Sequence, residues 1–187
     1  MFTTLELRWF YRGTSPTEVE QWFSTDCPGE LLGVPEERED VYLYVPDCSY
    51  LNIKVRQGSL EVKWRKKELG IRQFSNSWEG NVETWLKWLC DDPAQESFIP
   101  KTSIEKKPWV RVKKVRSQRH YEGITCELTQ LYINTDTWWT VAFEGDVEEV
   151  SPDSFDRVVS EMGKTYRGLE LLADQSYAYP NWISLVK

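Results

Sequence analysis

The sequence predicts an α+β fold built on a closed or nearly closed antiparallel β-barrel of about eight strands, with three or four flanking helices. Most predicted strands follow one another directly in the chain, which favours antiparallel pairing. Several of these strands carry one fully charged face, and such a face must meet either bulk water or a closed, wet cavity. A closed barrel provides that cavity and also removes the free edges of the sheet. We therefore expect one domain over residues 1–187, with a polar tunnel inside it.

The clearest element is a β-hairpin. Apolar and polar residues alternate along residues 51–56 and again along residues 60–65, with Gln57-Gly58 as the turn between them. A two-residue turn places Lys54 opposite Glu61. One face of the hairpin is then wholly apolar, and the other is polar and mostly basic.

The remaining elements follow from periodicity and from capping residues. Further strands are predicted over residues 3–11, 41–45, 71–74, 109–121, 125–133 and 138–144. Helices are predicted after Ser15-Pro16 and after Ser151-Pro152, where a cap residue precedes a proline. A third helix is predicted over residues 82–92, from apolar residues at helical spacing. Residues 25–39 and 93–108 are expected to be loops, and residues 165–187 give no clear pattern.

The charge of the chain is unevenly distributed. It has 23 Lys and Arg against 30 Asp and Glu, a net charge of −7, which makes nucleic acid an unfavourable partner. Yet residues 51–72 hold seven basic and two acidic residues, and residues 101–121 hold eight basic and one acidic residue. One interpretation is solvated sheet faces with cross-strand ion pairs. The other is a basic groove for a polyanion, in which low-dielectric walls focus the field of closely spaced cations.

Other classes of site are disfavoured. The four cysteines lie far apart without CxxC spacing, so we expect reduced thiols and no zinc site. His120 is the only histidine, and it is more consistent with a strand-end position than with a catalytic triad. No apolar run approaches the ~18 residues of a membrane span. The expected location is the cytoplasm, without a membrane partner.

Several segments, in their order along the chain, resemble the CYTH or triphosphate tunnel metalloenzyme superfamily. They are residues 51–65, 112–116, 126–130 and 141–144, with residues 179–183 similar to the C-terminal end of the family. The resemblance implies an eight-stranded antiparallel barrel. In that family basic side chains hold a triphosphate, and carboxylates hold a divalent metal ion, which here would be Mg²⁺ or Mn²⁺.

The resemblance also implies the residues of a site. The phosphate-binding candidates are Lys54, Arg56, Lys63, Arg65, Arg111, Lys113, Lys114 and Arg116, with the inward parity of residues 109–121 left open. The metal candidates are Glu61, Glu127 and Glu144. The family's N-terminal ExExK strand corresponds in the natural register to Leu5, Leu7 and Trp9, which departs from the pattern. A shift of one residue would instead turn Glu6 and Arg8 to the lumen.

Two functions are compatible with these residues. The first is binding of a small phosphorylated anion, a triphosphate or a nucleotide, in a basic β-tunnel, with or without metal-dependent hydrolysis. Catalysis would need several carboxylates to anchor the metal, and the altered N-terminal strand weakens that site. The second is a non-catalytic CYTH-like domain for ligand binding or protein interaction.

Overall fold

The computed structural model describes residues 1–90, 104 and 108–187, and in these residues eight antiparallel strands close into a barrel with one short strand outside it. The strands are β1 (Phe2–Arg12), β2 (Glu30–Leu31), β3 (Glu36–Leu43), β4 (Leu51–Arg56), β5 (Ser59–Ser75), β6 (Trp78–Leu89), β7 (Trp109–Tyr121), β8 (Ile124–Ile133) and β9 (Asp136–Asp146). The helices are α1 (Thr17–Gln21), α2 (Pro152–Gly163) and α3 (Tyr179–Val186). The predicted fold class is confirmed.

The barrel is closed by one pairing between strands of the C-terminal half. Its order is β7-β3-β4-β5-β6-β1-β9-β8, and β8 pairs again with β7, whereas β2 pairs with β7 from outside. Because every barrel strand has two neighbours, no long edge is left unpaired. No helix in the described part of the chain is long and apolar enough to cross a membrane.

The predicted hairpin is confirmed with its register. Strands β4 and β5 pair Lys54 with Glu61 and Asn52 with Lys63. Since side chains alternate across a strand, these four polar residues share one face. That face points into the barrel, where Lys54, Glu61 and Lys63 are almost fully buried.

The main apolar core lies outside the barrel wall, under α1 and α2. Leu7 and Trp9 of β1 pack there against Trp22, which follows α1, and Phe155 of α2. Helix α2 begins as predicted, because the Ser151 side chain accepts a hydrogen bond from the Ser154 backbone N–H. The core therefore fixes which face of β1 looks away from the lumen.

A smaller aromatic cluster closes one end of the barrel. Trp182 of α3 stacks on Phe10 of β1 with ring centroids 5.3 Å apart, and Tyr179 stacks on Tyr42 of β3 at 5.1 Å. Tyr177 stacks on the other face of Phe10 at 5.4 Å. The C-terminal segment, whose sequence shows no clear pattern, thus forms the floor of the tunnel.

Two predicted elements are wrong. Residues 82–89 are not a helix but most of β6, which pairs with β5 and β1. Their apolar residues only imitate helical spacing, since Val82 faces the outer core and Trp85 faces the lumen. The loop predicted over residues 25–39 contains β2 and the start of β3, whose charges are paired across strands. The predicted loop over residues 93–108 lies mostly outside the described residues.

Candidate functional site: a charged tunnel

The barrel encloses a cavity of about 400 Å³ with side chains from all eight barrel strands in its wall. Eight of the lining residues are basic: Arg8, Arg38, Lys54, Arg56, Lys63, Lys87, Lys114 and Arg116. Six are acidic: Glu6, Glu83, Glu127, Glu144, Asp146 and Glu149. Tyr177 and Tyr179 line the closed end. The charged faces seen in the sequence therefore meet inside the barrel.

Strand β1 settles which of its residues reach the lumen. Glu6 and Arg8 line the cavity, whereas Leu5, Leu7 and Trp9 lie in the outer core. The natural register expected from the family pattern is therefore wrong, and the register shifted by one residue is correct. The signal was in the sequence, because three apolar side chains on one strand face belong against the helices rather than in a wet lumen.

Basic residues from three strands converge on one buried carboxylate. Asp40 of β3 lies 3.1 Å from Arg56 Nε, 3.0 Å from Lys114 Nζ and 3.4 Å from Arg38 Nε. Lys54 is next to this cluster and pairs with Glu61 at 3.0 Å. Asp40, Arg38, Arg56 and Lys114 together form what we call the Asp40 cluster.

Burial and mutual repulsion both act on the cations in and beside the Asp40 cluster. Burial lowers the pKa of Lys114 to about 7. Attraction to Asp40 opposes this shift, but repulsion by Arg38 and Arg56 offsets part of that attraction. Burial and repulsion by Arg56 likewise lower the pKa of Lys54 well below its usual range. Burial alone would raise the pKa of Asp40, but Lys114 and Lys54 hold it far below its ordinary value. An additional anion would relieve the repulsion among these cations.

Glu127 of β8 links β1 to β7. Its carboxylate accepts hydrogen bonds from Arg8 at 3.2 Å, from Arg116 at 2.9 Å and from Gln118 at 2.9 Å. Burial alone would raise its pKa, but Arg8 and Arg116 lower it to about 2. Glu127 is therefore ionised and engaged with protein donors.

A row of three carboxylates crosses strands β6, β1 and β9. Glu6 is the register partner of Glu83 on one side and of Glu144 on the other. Arg65 neutralises Glu83 at 2.7 Å, and the Trp85 indole N–H donates to it at 2.8 Å. Lys63 lies between the other two, with Nζ 2.6 Å from Glu6 and 3.4 Å from Glu144.

The carboxylates present do not fit a divalent metal ion. Among the described residues, no group of three or more His, Cys, Asp or Glu side chains is arranged to hold one. The predicted ligands are in separate ion pairs: Glu61 with Lys54 and Arg56, Glu127 with arginines, and Glu144 with Lys63. A hard divalent cation needs several oxygen ligands that converge on one point. The predicted Mg²⁺ or Mn²⁺ site is thus not formed by this donor set.

Solved structures share this architecture. The PH1012 protein from Pyrococcus horikoshii OT3 superposes with a TM-score of 0.53 at 17% identity, over 97% of this chain and 99% of that chain. The chain shares the fold of this protein. A conserved hypothetical protein from Pyrococcus furiosus superposes with a TM-score of 0.51 at 18% identity, over 95% and 98% of the two chains.

A weaker match is an enzyme. The Pct1 RNA triphosphatase of S. pombe superposes with a TM-score of 0.47 at 10% identity, over 89% of this chain and 86% of that chain. No family model and no curated protein sequence matches the chain. Similarity at these identities establishes the fold alone, so the chemistry of the site has to be inferred from the residues of this chain.

Within the tunnel, the structure brings together five of the eight predicted phosphate-binding residues. Lys54, Arg56, Lys63, Lys114 and Arg116 line the cavity. The other three do not line it: Arg65 turns to Glu83 and Ser49, Arg111 pairs with Glu39 on the outer face, and Lys113 is exposed. The parity of β7 is thereby fixed, with its even-numbered residues inward.

Sequence reasoning missed several lumen residues. They include Arg38, Glu83, Lys87 and Tyr179, and Asp40 was missed as the buried partner of Lys114. Those on β3 and β6 were hidden by the loop and helix predictions there. Residues 36–40 are all charged, so no apolar and polar alternation marked the inward face of this segment.

Proposed function

We propose that the tunnel binds a phosphate-rich anion, a triphosphate or the triphosphate group of a nucleotide. The observation that carries this proposal is the Asp40 cluster, where three cations meet at one buried carboxylate beside a cavity of about 400 Å³. Two of these cations also pair with a second carboxylate, Arg38 with Glu36 and Arg56 with Glu61. Cations that are held close together away from bulk water attract a polyanion strongly, because the field is weakly screened.

The proposed phosphate contacts come from opposite parts of the wall. Arg56 and Lys114 would contact phosphate oxygens from the Asp40 cluster, and Arg116 from the next inward position of β7. Arg8 faces them from β1 and is held in place by the Tyr179 ring, 4.9 Å from its guanidinium carbon. Guanidinium groups suit this task, since their fixed fork of donors matches phosphate geometry.

The shape of the cavity supports recognition of a terminal phosphate chain. The aromatic floor of Phe10, Tyr42 and Trp182 closes one end of the barrel, so in the part of the chain that the structure describes a ligand would enter from the other end. An extended chain with a free phosphate end fits such a blind tunnel.

The tunnel is proposed to bind the anion without hydrolysing it. The carboxylates that would anchor a catalytic metal ion are engaged by Lys54, Arg116 and Lys63. Binding without turnover is the function that this arrangement supports best.

The test compares two arginines of β7. Arg116 faces the cavity and pairs with Glu36 of β3, whereas Arg111 faces outward and pairs with Glu39 of the same strand. Tripolyphosphate should raise the melting temperature of the parent protein, because a ligand of the folded state stabilises it by mass action. Arg116→Gln should weaken binding measured by calorimetry about tenfold or more, as expected for a lost charge-assisted contact. Arg111→Gln should bind like the parent.

Two results would contradict the proposal. One is a parent protein whose melting temperature does not respond to millimolar tripolyphosphate. The other is an equal loss of affinity in Arg116→Gln and Arg111→Gln, since that would assign the effect to net charge rather than to the tunnel.

A further inference from the structure

Lys63 occupies an unusual position between two carboxylates. Glu6 and Glu144 are direct register partners on β1 and β9, and both face the lumen. Two carboxylates placed opposite each other on adjacent strands repel unless a cation lies between them. Lys63 reaches them from β5, with its ammonium 2.6 Å from Glu6 and 3.4 Å from Glu144.

Lys63 is the cation that forms a direct ion pair with both carboxylates. Arg65 is committed to Glu83, the third carboxylate of the row, and Arg8 to Glu127. Lys87, the register partner of Lys63 on β6, contacts the Phe2 ring at 5.2 Å and forms no ion pair with a described residue. Removing Lys63 would therefore leave two adjacent carboxylates without an ion-pair partner among the described residues.

We propose that Lys63 is an internal cation that takes the place of a divalent metal ion in this tunnel. Its ammonium neutralises Glu6 and Glu144 and presents remaining N–H donor capacity toward the cavity. Glu144, about one-third exposed at its side chain, is the more accessible of the two carboxylates. The consequence, which rests on the proposed anion-binding function, is that phosphate binds here without Mg²⁺ or Mn²⁺.

The first experiment tests the lysine without any phosphate. Mn²⁺ binding is followed by electron paramagnetic resonance, from the loss of the free-ion signal. The parent protein should show no saturable site, whereas Lys63→Met should gain one, because Glu6 and Glu144 become free ligands and water completes the coordination. The gain should be at least about tenfold in affinity, and Glu144→Gln added to Lys63→Met should remove it.

Lys87→Met is the matched control. It removes the same charge from the neighbouring position of the same cavity but uncovers no carboxylate pair. It should therefore gain no Mn²⁺ site. A parent protein that binds Mn²⁺ tightly and loses the site in Glu144→Gln would overturn the proposal, as would equal gains in Lys63→Met and Lys87→Met.

The second experiment uses only the parent protein and so does not depend on the folding of a variant. Calorimetric titration with tripolyphosphate in excess chelator should give saturable binding, and added Mg²⁺ should not strengthen it. Binding that appears only with Mg²⁺ would overturn the internal-cation proposal while leaving the anion site intact. No binding under either condition would contradict the proposed function, and the Mn²⁺ experiment would still decide the role of Lys63.

Discussion

The ammonium of Lys114 lies 3.0 Å from the carboxylate of Asp40, and both side chains are closed off from bulk water, with 2% and 0% of their surfaces exposed. Lys114 also donates hydrogen bonds to the hydroxyl groups of Tyr42 and Tyr179. The lysine is thus fixed in place, but its positive charge is poorly stabilised in the free protein. An anion that enters the tunnel changes this balance.

Tripolyphosphate binding should be coupled to proton uptake. The pKa of Lys114 is about 7 in the free protein, so the side chain is mostly neutral at pH 8. A bound anion favours the charged form and raises that pKa, so a proton is taken up on binding. Affinity should therefore decrease as the pH rises above about 7. Calorimetry at pH 8 in buffers of different ionisation enthalpy measures the uptake. Lys114→Met should abolish most of it, and unchanged uptake in that variant would contradict the assignment.

The same lysine should make folding stability depend on pH. Its folded pKa of about 7 lies below the value of about 10.4 in the unfolded chain, so the unfolded chain binds more protons between these values. The free energy of unfolding should consequently rise with pH in this window, and Lys114 should contribute about 2 kcal/mol between pH 7 and pH 9. Urea unfolding at both pH values checks this. The rise should be smaller in Lys114→Met, and a fall in stability with pH that depends on Lys114 would contradict the prediction.

The two faces of β1 should differ in how much stability they lose when the same amide side chain is introduced. Leu7→Gln places a polar group in the outer core, where the native leucine is 1% exposed, and should cost about 2–5 kcal/mol of unfolding free energy. Glu6→Gln changes a residue of the wet lumen and leaves Lys63 paired with Glu144, so it should cost less than about 2 kcal/mol. Urea unfolding of both variants tests the register. A larger loss in Glu6→Gln than in Leu7→Gln would contradict it.

Local patterns were sufficient to predict the barrel but not all of its wall. The β4–β5 hairpin was predictable to the exact pairing of Lys54 with Glu61, because the turn fixes the register of both strands. Strand β6 was not, since a barrel strand with an apolar outer face and a mixed inner face, which includes Trp85, can imitate helical spacing.

The candidate site was likewise predictable only in part. The basic residues were recognisable by their concentration on a few segments, but their carboxylate partners were not. Lys63 and Glu6 are 57 positions apart in sequence, and Lys114 and Asp40 are 74 apart, so only closure of the barrel brings them together. The predicted metal ligands were proposed without these partners, because sequence alone could not show that a lysine or an arginine pairs with Glu61, Glu127 and Glu144.

The floor of the tunnel provides the last prediction. Trp182 of α3 is fully buried, stacks on Phe10 at 5.3 Å and contacts the edge of Trp138 at 6.1 Å, whereas Leu185 on the same helix is 65% exposed. Trp182→Ala should cost about 3–5 kcal/mol of unfolding free energy, because the aromatic contacts are lost and a cavity remains. Leu185→Ala should change it by less than about 0.5 kcal/mol. Tyr179 on this helix accepts a hydrogen bond from Lys114, so Trp182→Ala should also weaken tripolyphosphate binding, which calorimetry measures on the folded variant. Similar stability losses in the two variants would show that α3 does not close the barrel in solution. Unchanged tripolyphosphate binding in a destabilised Trp182→Ala would show that the aromatic floor does not contribute to the anion site.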